Sequence, residues 1–312
     1  MELRLCELNL ENLFISMEYW EGQDLVTMSE ADWRKLALSQ LRRKQKLLWK
    51  TQGLAAAIKD IAPDVLLLTE VGGKDSLESF NRHFLADAFD VHFVETNSQR
   101  GIDLGYLVRK GLGLRAETRS NRETPIEVLA YEGKYSARFS RDVAELWLHD
   151  GNGPRLAVLL THLKSMISTD KDFRGKDVRT AEAIALAEIY RRLRESHPEL
   201  PIVVGGDFNS PLSSLELELV SRTDLADFHD LIGTPEHERV SLVYFDVTEQ
   251  PKHQILDYLM VSPHLAGRIV KEKSFTYRYK GFYGIPEEHP RTLKEKLRMP
   301  SDHYPLVLTL RI

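Results

Sequence analysis

The sequence predicts an α/β fold of the α+β kind, with antiparallel as well as parallel strand pairs in its sheets. Short apolar runs typical of strands alternate with amphipathic segments typical of helices along the whole chain. Many neighbouring strands lack a helix between them, which favours mixed sheets over a pure parallel barrel. No repeat, low-complexity tract or Pro/Gly/Ser-rich linker interrupts the 312 residues, so we expect a single domain over residues 1–312.

The N-terminal half is predicted to supply the first strands and one long helix. Leu3 and Leu5 are separated by a polar residue, as in a strand with one buried face. Residues 29–60 carry apolar side chains at helical spacing, and the continuous apolar run 63–69 is typical of a strand buried on both faces. Further strands are predicted at 89–96, 103–109, 143–149 and 156–161.

The C-terminal half is predicted to add an amphipathic helix and the closing strands. In residues 180–195 the apolar side chains recur at helical spacing and should face the core. The apolar runs 201–204, 255–261 and 306–310 are predicted strands. Because the first and the last strand both carry polar clusters at their ends, we expect the active site to need both termini.

Composition indicates a well-solvated globular protein. Apolar residues make up 42% of the chain, which suffices for a large core, and charged residues make up 29%. The net charge of −5 and the isoelectric point of about 6.1 argue against tight, non-specific binding along a nucleic acid duplex, although they leave room for a local basic cleft.

The single cysteine and the hydropathy of the chain bear on its compartment. Cys6 lies in an apolar stretch and is expected to be a buried structural residue, so the chain has no disulfide partner for it. The N-terminus has no basic region followed by a long apolar core, and no apolar run approaches the length of a membrane span. We therefore expect a soluble, cytoplasmic and monomeric protein without a membrane span.

The run GGDFNS at residues 205–210 is the most informative motif, because it follows a predicted buried strand. Asp207 and Asn209 are two residues apart, so in an extended segment they point to the same side. A carboxylate that accepts a proton, beside an amide that donates and accepts hydrogen bonds, suits a base that aims a water at phosphorus. Asp, Asn and Gly are also ordinary turn residues, so this motif needs support from elsewhere in the chain.

That support comes from six apolar segments, each with residues at or near a strand end that can bind metal or phosphate. Because strand ends from layered sheets collect at one edge, these residues can be built into a single cleft. The candidates are Asn9, Glu70, His162, Asp207, Asn209, Asp257, Asp302 and His303.

The candidates include both metal ligands and an acid–base pair. Hard oxygen donors suit Mg²⁺ or Mn²⁺, which bind through few carboxylates and keep several waters. Two histidines without cysteine ligands do not form a structural zinc site. Asp257 can orient and charge His303 through a hydrogen bond, and such a pair stabilises charge that develops on a phosphate. The oxygen donors are Glu70, Asp207, Asp302 and Asn9.

At this point the chain resembles the endonuclease/exonuclease/phosphatase superfamily, which includes deoxyribonuclease I and exonuclease III-type enzymes. The resemblance runs from residue 3 to residue 310 and implies a four-layer α/β/β/α sandwich, in which two mixed sheets lie face to face and are flanked by helices. It rests on the ordered motifs NLENLF, LLLTE, THLKS, GGDFNS, LDY and SDHYP.

The resemblance also implies roles around a metal ion and a water. Glu70 would be the main metal ligand, with Asn9 and Asp302 nearby. Asp207 would activate or orient the attacking water, and Asn209 would hold water or phosphate.

Two histidines receive roles from the same resemblance. His162 would hydrogen-bond a phosphoryl oxygen, and Asp103 could be its carboxylate partner. His303, paired with Asp257, would stabilise the pentacovalent transition state.

The substrate is less well indicated than the chemistry. Lys164, Arg174 and Arg179 lie in or after the THLKS motif and are candidates for binding phosphate. Seven basic and no acidic residues lie at 33–50, as on a solvated helix face or on a helix that follows phosphates. In residues 275–283 aromatics alternate with basic residues, as in a strand with an aromatic face or in a loop that stacks a base.

The sequence therefore predicts a metal-dependent phosphoester hydrolase, and a nuclease acting on DNA or RNA is the first hypothesis. The alternative is a phosphatase or phosphodiesterase for a small or lipid phosphoester, of the inositol phosphate or sphingomyelin type. A non-catalytic binding module on the same fold would be expected to have lost catalytic residues, and all of the candidates are present.

Overall fold

The computed structural model describes residues 1–15, 29–32, 45–131, 133–169, 172–281 and 283–312. These residues contain two six-stranded sheets that share an apolar core between them, and helices pack on the two outer faces. Both sheets mix parallel and antiparallel pairs. The predicted α/β fold with two mixed sheets flanked by helices is thereby confirmed.

The first sheet joins the two ends of the chain. Its strands are β1 (Glu2–Leu13), β2 (Val65–Val71), β3 (Phe89–Val94), β4 (Asp103–Arg109), β15 (Phe275–Thr276) and β16 (Leu306–Arg311). Their spatial order is β15-β16-β1-β2-β4-β3, with β1 parallel to β2 and antiparallel to β16. The last strand therefore lies beside the first.

The second sheet has the spatial order β11-β14-β10-β9-β8-β5, and its central pair β9 and β10 is parallel. Its strands are β5 (Arg115–Ser120), β8 (Val143–Asp150), β9 (Gly153–His162), β10 (Ile202–Asp207), β11 (Ala226–Asp227) and β14 (Asp257–Val261). Two hairpins lie outside the sheets, β6 (Pro125–Ala130) with β7 (Gly133–Arg138) and β12 (Leu242–Phe245) with β13 (Pro251–Gln254).

Within the described residues, three longer helices cover the sheets. They are α1 (Leu48–Ile61), α2 (Lys74–Phe84) and α3 (Lys176–Ser196), and the short helices α4 to α7 are Glu218–Ser221, Phe228–Ile232, Pro263–Ala266 and Leu293–Lys296. The predicted helix at 180–195 is confirmed as α3. Of the helix predicted at 29–60, α1 is the part that forms from residue 48 onward, and residues 33–44 lie outside the described ones.

Alternate side chains of β2 pack in different layers of the core. Leu67 of β2 packs between the sheets with Leu160 of β9, whereas Leu66 packs with Ile58 of α1 on the outer face. This explains the continuous apolar run in β2, because side chains on both of its faces are buried. On the far side of the second sheet, α3 contributes Leu186 to a third cluster.

The structure also bears on two features predicted from the sequence, the lack of a membrane-spanning segment and the burial of Cys6. Within the described residues, no helix combines the length and the apolar character needed to cross a membrane. Cys6 is a free thiol and fully buried in β1, as predicted for a structural cysteine.

Candidate active site

Three side chains lie in one row where the second sheet ends. Asp207 at the end of β10 is in register with His162 at the end of β9 and with Asp257 at the start of β14. Residues paired in this way point to the same face of a sheet. Since β9 and β10 are parallel, their carboxyl ends meet at one edge. The structure thus brings these three predicted residues together.

The segment before β16 adds His303 to this row. Its Nδ1 lies 2.7 Å from Asp257 Oδ2, and ligand atoms of Asp207, Asp257 and His303 all lie within 4.8 Å of one another. The Ser301 hydroxyl donates to the carbonyl of Asn9 at 2.8 Å and accepts the His303 N–H at 3.1 Å. Ser301 therefore links the segment of His303 to Asn9 of β1.

The surroundings of His303 favour its protonated form. Burial lowers the pKa of His303, but the charge of Asp257 and its hydrogen bond outweigh burial and raise this pKa well above the ordinary value. The charges of Asp207 and Asp302 add to the rise. An imidazolium anchored through Nδ1 can offer its Nε2 proton to a phosphoryl oxygen.

Asp207 is held by two amide groups. Its Oδ2 accepts from Asn9 Nδ2 at 3.1 Å, and its Oδ1 accepts the Asn209 N–H at 2.8 Å. Burial, followed by the charge of Asp257, raises the pKa of Asp207 to about 7, against the opposing charge of His303. A carboxylate that titrates near neutral pH is suited to act as a general base.

The end of β10 and the turn that follows it have unusual backbone conformations. Gly206 has a φ of 131°, and a Cβ atom there would lie 1.9 Å from the carbonyl oxygen of Thr161, so only glycine lets β10 approach β9 this closely. Asn209 has a φ of 50°, and its Nδ2 donates to the carbonyl of Leu163 at 3.0 Å. The motif thereby presents Asp207 and Asn209 at the sheet edge.

His162 lies beside Asp207 in surroundings that favour the neutral ring. Its Nε2 lies 3.6 Å from Asp207 Oδ2, and burial, with the nearby charge of Arg141, lowers the pKa of His162 well below the ordinary value. Its Nδ1 has no hydrogen-bond partner among the described residues. The predicted pairing with Asp103 is therefore not formed, and Asp103 Oδ1 instead accepts the N–H and the hydroxyl of Thr96 at 2.8 and 3.0 Å.

Glu70 lies at an irregularity in the pairing of β2 and has a φ of 58°. Its Oε2 accepts the Asn12 N–H at 2.9 Å, and Arg100 donates to Asn12 Oδ1 at 2.7 Å. Burial raises the pKa of Glu70; the charge of Arg100 opposes this rise and that of Asp302 adds to it. Glu70 and Asp302 are thus close enough to repel each other.

The donors at this edge fit a hard divalent cation. Asp302 lies 3.2 Å from Lys296 Nζ and 3.9 Å from His303 Nε2, and the charges of His303 and Lys296 lower the pKa of Asp302 against burial, which favours its ionised form. Two carboxylates that repel each other, with amide oxygen nearby and no thiol, form a set that suits Mg²⁺ or Mn²⁺. The assignment of Glu70, Asn9 and Asp302 as ligands stays a prediction.

The residues predicted to bind phosphate divide into two groups. Arg179 is buried; its Nη1 donates to the carbonyls of Lys164 and Arg174 at 2.9 and 3.1 Å, and its Nη2 pairs with Glu216 at 3.2 Å. Its role is structural, contrary to the prediction, because the side chain supports the backbone instead of facing a cleft. Arg174 is exposed and Lys164 partly exposed, so both remain candidates.

The structure describes only part of the basic run at 33–50 and part of the aromatic segment at 275–283. Lys46 and Lys50 both pair with Glu11 Oε2, at 3.1 and 2.7 Å. Tyr277 and Tyr279 are buried in the core, so the aromatic segment contributes an apolar face. The other basic residues of the run, Arg34, Lys35, Arg42, Arg43 and Lys44, lie outside the described residues.

Arg141 is a site residue that the motifs did not indicate. It lies between β7 and β8, is 5% exposed, and donates through Nη1 to the carbonyl of Leu163 at 3.4 Å. Burial lowers the pKa of Arg141, against the charges of Glu182, Asp207 and Glu70, and Arg141 forms no direct ion pair within the described part of the chain. A buried guanidinium that no carboxylate pairs with directly is suited to bind an anion. Its signal in the sequence was a basic residue just before an apolar strand.

Glu7 is a second residue that the sequence did not indicate. It is fully buried, two residues before Asn9 and on the same side of β1. Neither carboxyl oxygen has a hydrogen-bond partner among the residues described. Burial raises the pKa of Glu7 well above the ordinary value, and the charges of Asp257 and Asp207 add to the rise, against that of His303.

Replacing Glu7 by glutamine is expected to stabilise the metal-free protein at alkaline pH. Because the folded pKa of Glu7 lies above the unfolded value, the stability that its neutral form provides is present at low pH and lost as pH rises through the folded pKa. Urea unfolding in EDTA at acid and alkaline pH measures this difference between the two proteins. Identical pH slopes would contradict the expectation.

Comparison with known proteins adds a family match. The sequence pattern of the Endonuclease/Exonuclease/phosphatase family matches residues 47–303. No curated protein sequence matches the chain.

Several solved structures share the fold. Truncated Caenorhabditis elegans TDP2 has 18% identity and a TM-score of 0.60, covering 100% of this chain and 98% of that chain. The human Nocturnin catalytic domain with bound sulfate anion has 16% identity and a TM-score of 0.60, covering 99% and 94%. D. rerio TDP2 complexed with single strand DNA product has 15% identity and a TM-score of 0.57, covering 100% and 99%. At these identities the likeness establishes the fold.

Proposed function

The chain belongs to the endonuclease/exonuclease/phosphatase family, and from this premise we propose that it hydrolyses phosphodiester bonds of DNA or RNA with the help of Mg²⁺ or Mn²⁺. The observation that carries the proposal is the buried row of His162, Asp207 and Asp257, with His303 hydrogen-bonded to its end. This row combines a general base with donors for a phosphoryl group in one place.

The chemistry follows from the charge states of these side chains. Asp207 takes a proton from the attacking water, which Asn209 helps to orient. The water oxygen bonds to phosphorus as the bond to the leaving oxygen breaks, and negative charge grows on the phosphoryl oxygens. His303 and Arg141 donate to those oxygens as cations, and the neutral His162 ring donates through one nitrogen.

A divalent cation fits beside this row. When bound, it would neutralise charge on the phosphate and so lower the cost of bringing the nucleophile close. The residues that would hold it are Glu70, Asp302 and Asn9, and their oxygen atoms are of the type that such cations prefer.

Two observations support a polynucleotide as the substrate. The D. rerio TDP2 structure, which shares the fold, holds a single strand DNA product. In this chain Arg100, Arg141 and Lys164 place positive charge around the candidate site although the net charge is −5. Local positive charge of this kind attracts phosphate.

The test is hydrolysis in Mg²⁺ or Mn²⁺ against EDTA, with Asp207→Ala as the control. The substrates are single- and double-stranded DNA, RNA, inositol phosphates and bis-p-nitrophenyl phosphate. We expect metal-dependent cleavage of a polynucleotide that EDTA abolishes and the variant lacks. Turnover of small esters alone would instead assign a phosphatase or phosphodiesterase of small or lipid substrates, and no turnover at all would refute hydrolysis.

A further inference from the structure

Glu182 of α3 joins two segments that leave the candidate site. Its side chain is 1% exposed. Oε1 accepts the N–H of Ser140 at 2.6 Å, and Oε2 accepts the N–H of Lys164 at 2.6 Å. One buried carboxylate therefore links the connection between β7 and β8 to the segment that follows β9.

Each linked segment carries a phosphate-binding candidate. Ser140 directly precedes Arg141, and Lys164 follows His162 by two residues. Other side chains also hold the backbone of the second segment. Asn209 Nδ2 and Arg141 Nη1 donate to the carbonyl of Leu163 at 3.0 and 3.4 Å. Arg179 Nη1 donates to the carbonyl of Lys164 at 2.9 Å. Arg141 enters the site from the first segment, so its distance from His162 depends on how the two segments are joined.

We infer that Glu182 is a positioning residue, which holds Arg141 and His162 at the spacing at which both reach the same phosphate group. This inference rests on the proposed hydrolysis, since it concerns the same site. Glu182 touches neither substrate nor metal; it holds the backbone of the two segments, and its charge also acts on Arg141 and Lys164.

The chemistry of the contact requires a carboxylate. The two backbone N–H groups approach different oxygens of Glu182, and an ionised carboxyl group offers both oxygens as acceptors and has no donor. Glutamine offers one oxygen and one NH₂ group, so in Glu182→Gln one buried N–H faces another donor. An unsatisfied buried donor is costly, and the segment is expected to move away from it.

The chain offers a matched control in Glu145 of β8. It is also a buried carboxylate with two donors, Asn121 Nδ2 at 2.9 Å and Trp147 Nε1 at 2.7 Å. Those donors belong to no residue of the candidate site. Glu145→Gln therefore also leaves a buried donor facing an NH₂ group, in the neighbouring strand β8, without a direct contact to Arg141.

The experiment compares the two variants in Mg²⁺ with bis-p-nitrophenyl phosphate, a substrate too small for remote contacts. We expect Glu182→Gln to lower kcat/KM by at least about tenfold, because a misplacement of about 1 Å is enough to cost as much as about a hundredfold. Glu145→Gln should stay within about twofold of the wild-type kcat/KM, and melting curves should show both variants folded. If Glu182→Gln does not fold, Glu182→Asp replaces it, since it keeps both oxygens but is one methylene shorter.

A double-mutant cycle separates positioning from a general loss of stability. The compared quantity is the change in the logarithm of kcat/KM that Glu182→Gln causes. If Glu182 acts through Arg141, this change should be less than half as large in the Arg141→Ala protein as in the wild type. Fully additive losses, or a Glu182→Gln variant as active as Glu145→Gln, would overturn the inference.

Calorimetric titration of inorganic phosphate gives a readout that needs no turnover. We expect Glu182→Gln and Arg141→Ala to weaken phosphate binding, and Glu145→Gln to leave it unchanged. If the wild type binds phosphate in this pattern but hydrolyses no phosphoester, the proposed function fails and the positioning role stands. If the wild type hydrolyses and Glu182→Gln matches it in both measurements, the positioning role fails alone.

Discussion

Replacing Asp207 by alanine is expected to lower kcat for phosphoester hydrolysis by about a thousandfold, since a positioned general base contributes on the order of 10²–10⁴. The carboxylate is held by Asn9 and by the N–H of Asn209, so its oxygens have a set direction at the sheet edge. Its pKa of about 7 leaves it able to take a proton at neutral pH. Alanine removes the proton acceptor and leaves the neighbouring amides in place.

A melting curve is the control for this variant. Buried carboxylates that crowd one another destabilise a fold, so removing Asp207 is expected to leave the melting temperature unchanged or higher. Asp207→Asn serves as a second variant of nearly the same shape, and it should be as inactive as Asp207→Ala. A folded Asp207→Ala protein with near wild-type turnover would show that another group activates the water.

The second large effect is expected at His303. Replacing it by alanine removes the imidazolium that faces the phosphoryl oxygens, and we expect kcat to fall by about 10²–10³, as for other lost transition-state donors. The matched control is His253→Ala, because His253 lies outside the row, stacks on His289 with ring centroids 4.7 Å apart, and has no proposed role in the reaction. Near-equal kcat in the two variants would exclude a catalytic role for His303.

The pH profile tests the partner of this histidine. The charge of Asp257 and its hydrogen bond raise the pKa of His303, so the ring stays protonated to higher pH than a free histidine. In Asp257→Asn that charge is lost, and the ring is expected to lose its proton at lower pH. The alkaline fall of kcat should therefore occur at lower pH in Asp257→Asn than in the wild type. An alkaline fall at the same pH in both proteins would show that the rate does not depend on the protonation of His303.

Much of the fold could be predicted from apolar patterning. The strands β2, β9 and β10 and the helix α3 form close to their predicted places, because each buries a continuous or periodic apolar face. The edge strand β5 and the hairpin of β6 and β7 were not predicted. The sequences of β5 and β7, RAETRS and GKYSAR, are mostly polar, and strands that bury little surface leave little apolar signal.

The residues of the candidate site could be predicted from the sequence, but their arrangement in space could not. His162, Asp207 and Asp257 could be selected from short motifs because each follows or begins an apolar strand. Their arrangement in one row depends on the register of β9, β10 and β14, which a single sequence does not encode in any local pattern. The missing contact of Asp103 with His162 has the same origin, since Asp103 belongs to the other sheet and is bound by Thr96.

The sequence by itself determined the mixed strand and helix pattern through local apolar and polar spacing. Its ordered motifs determined the resemblance to the family, and that resemblance implied the two-sheet fold and the residue types of a phosphoester-hydrolysing site. Only the tertiary structure decided that Arg179 supports the backbone, that Arg141 enters the site and that Glu182 joins two segments 24 residues apart at Ser140 and Lys164. Each of these roles arises from a contact between side chain and backbone across the fold. Such contacts are set by packing and register, and a charged residue looks the same in the sequence whichever of them it makes.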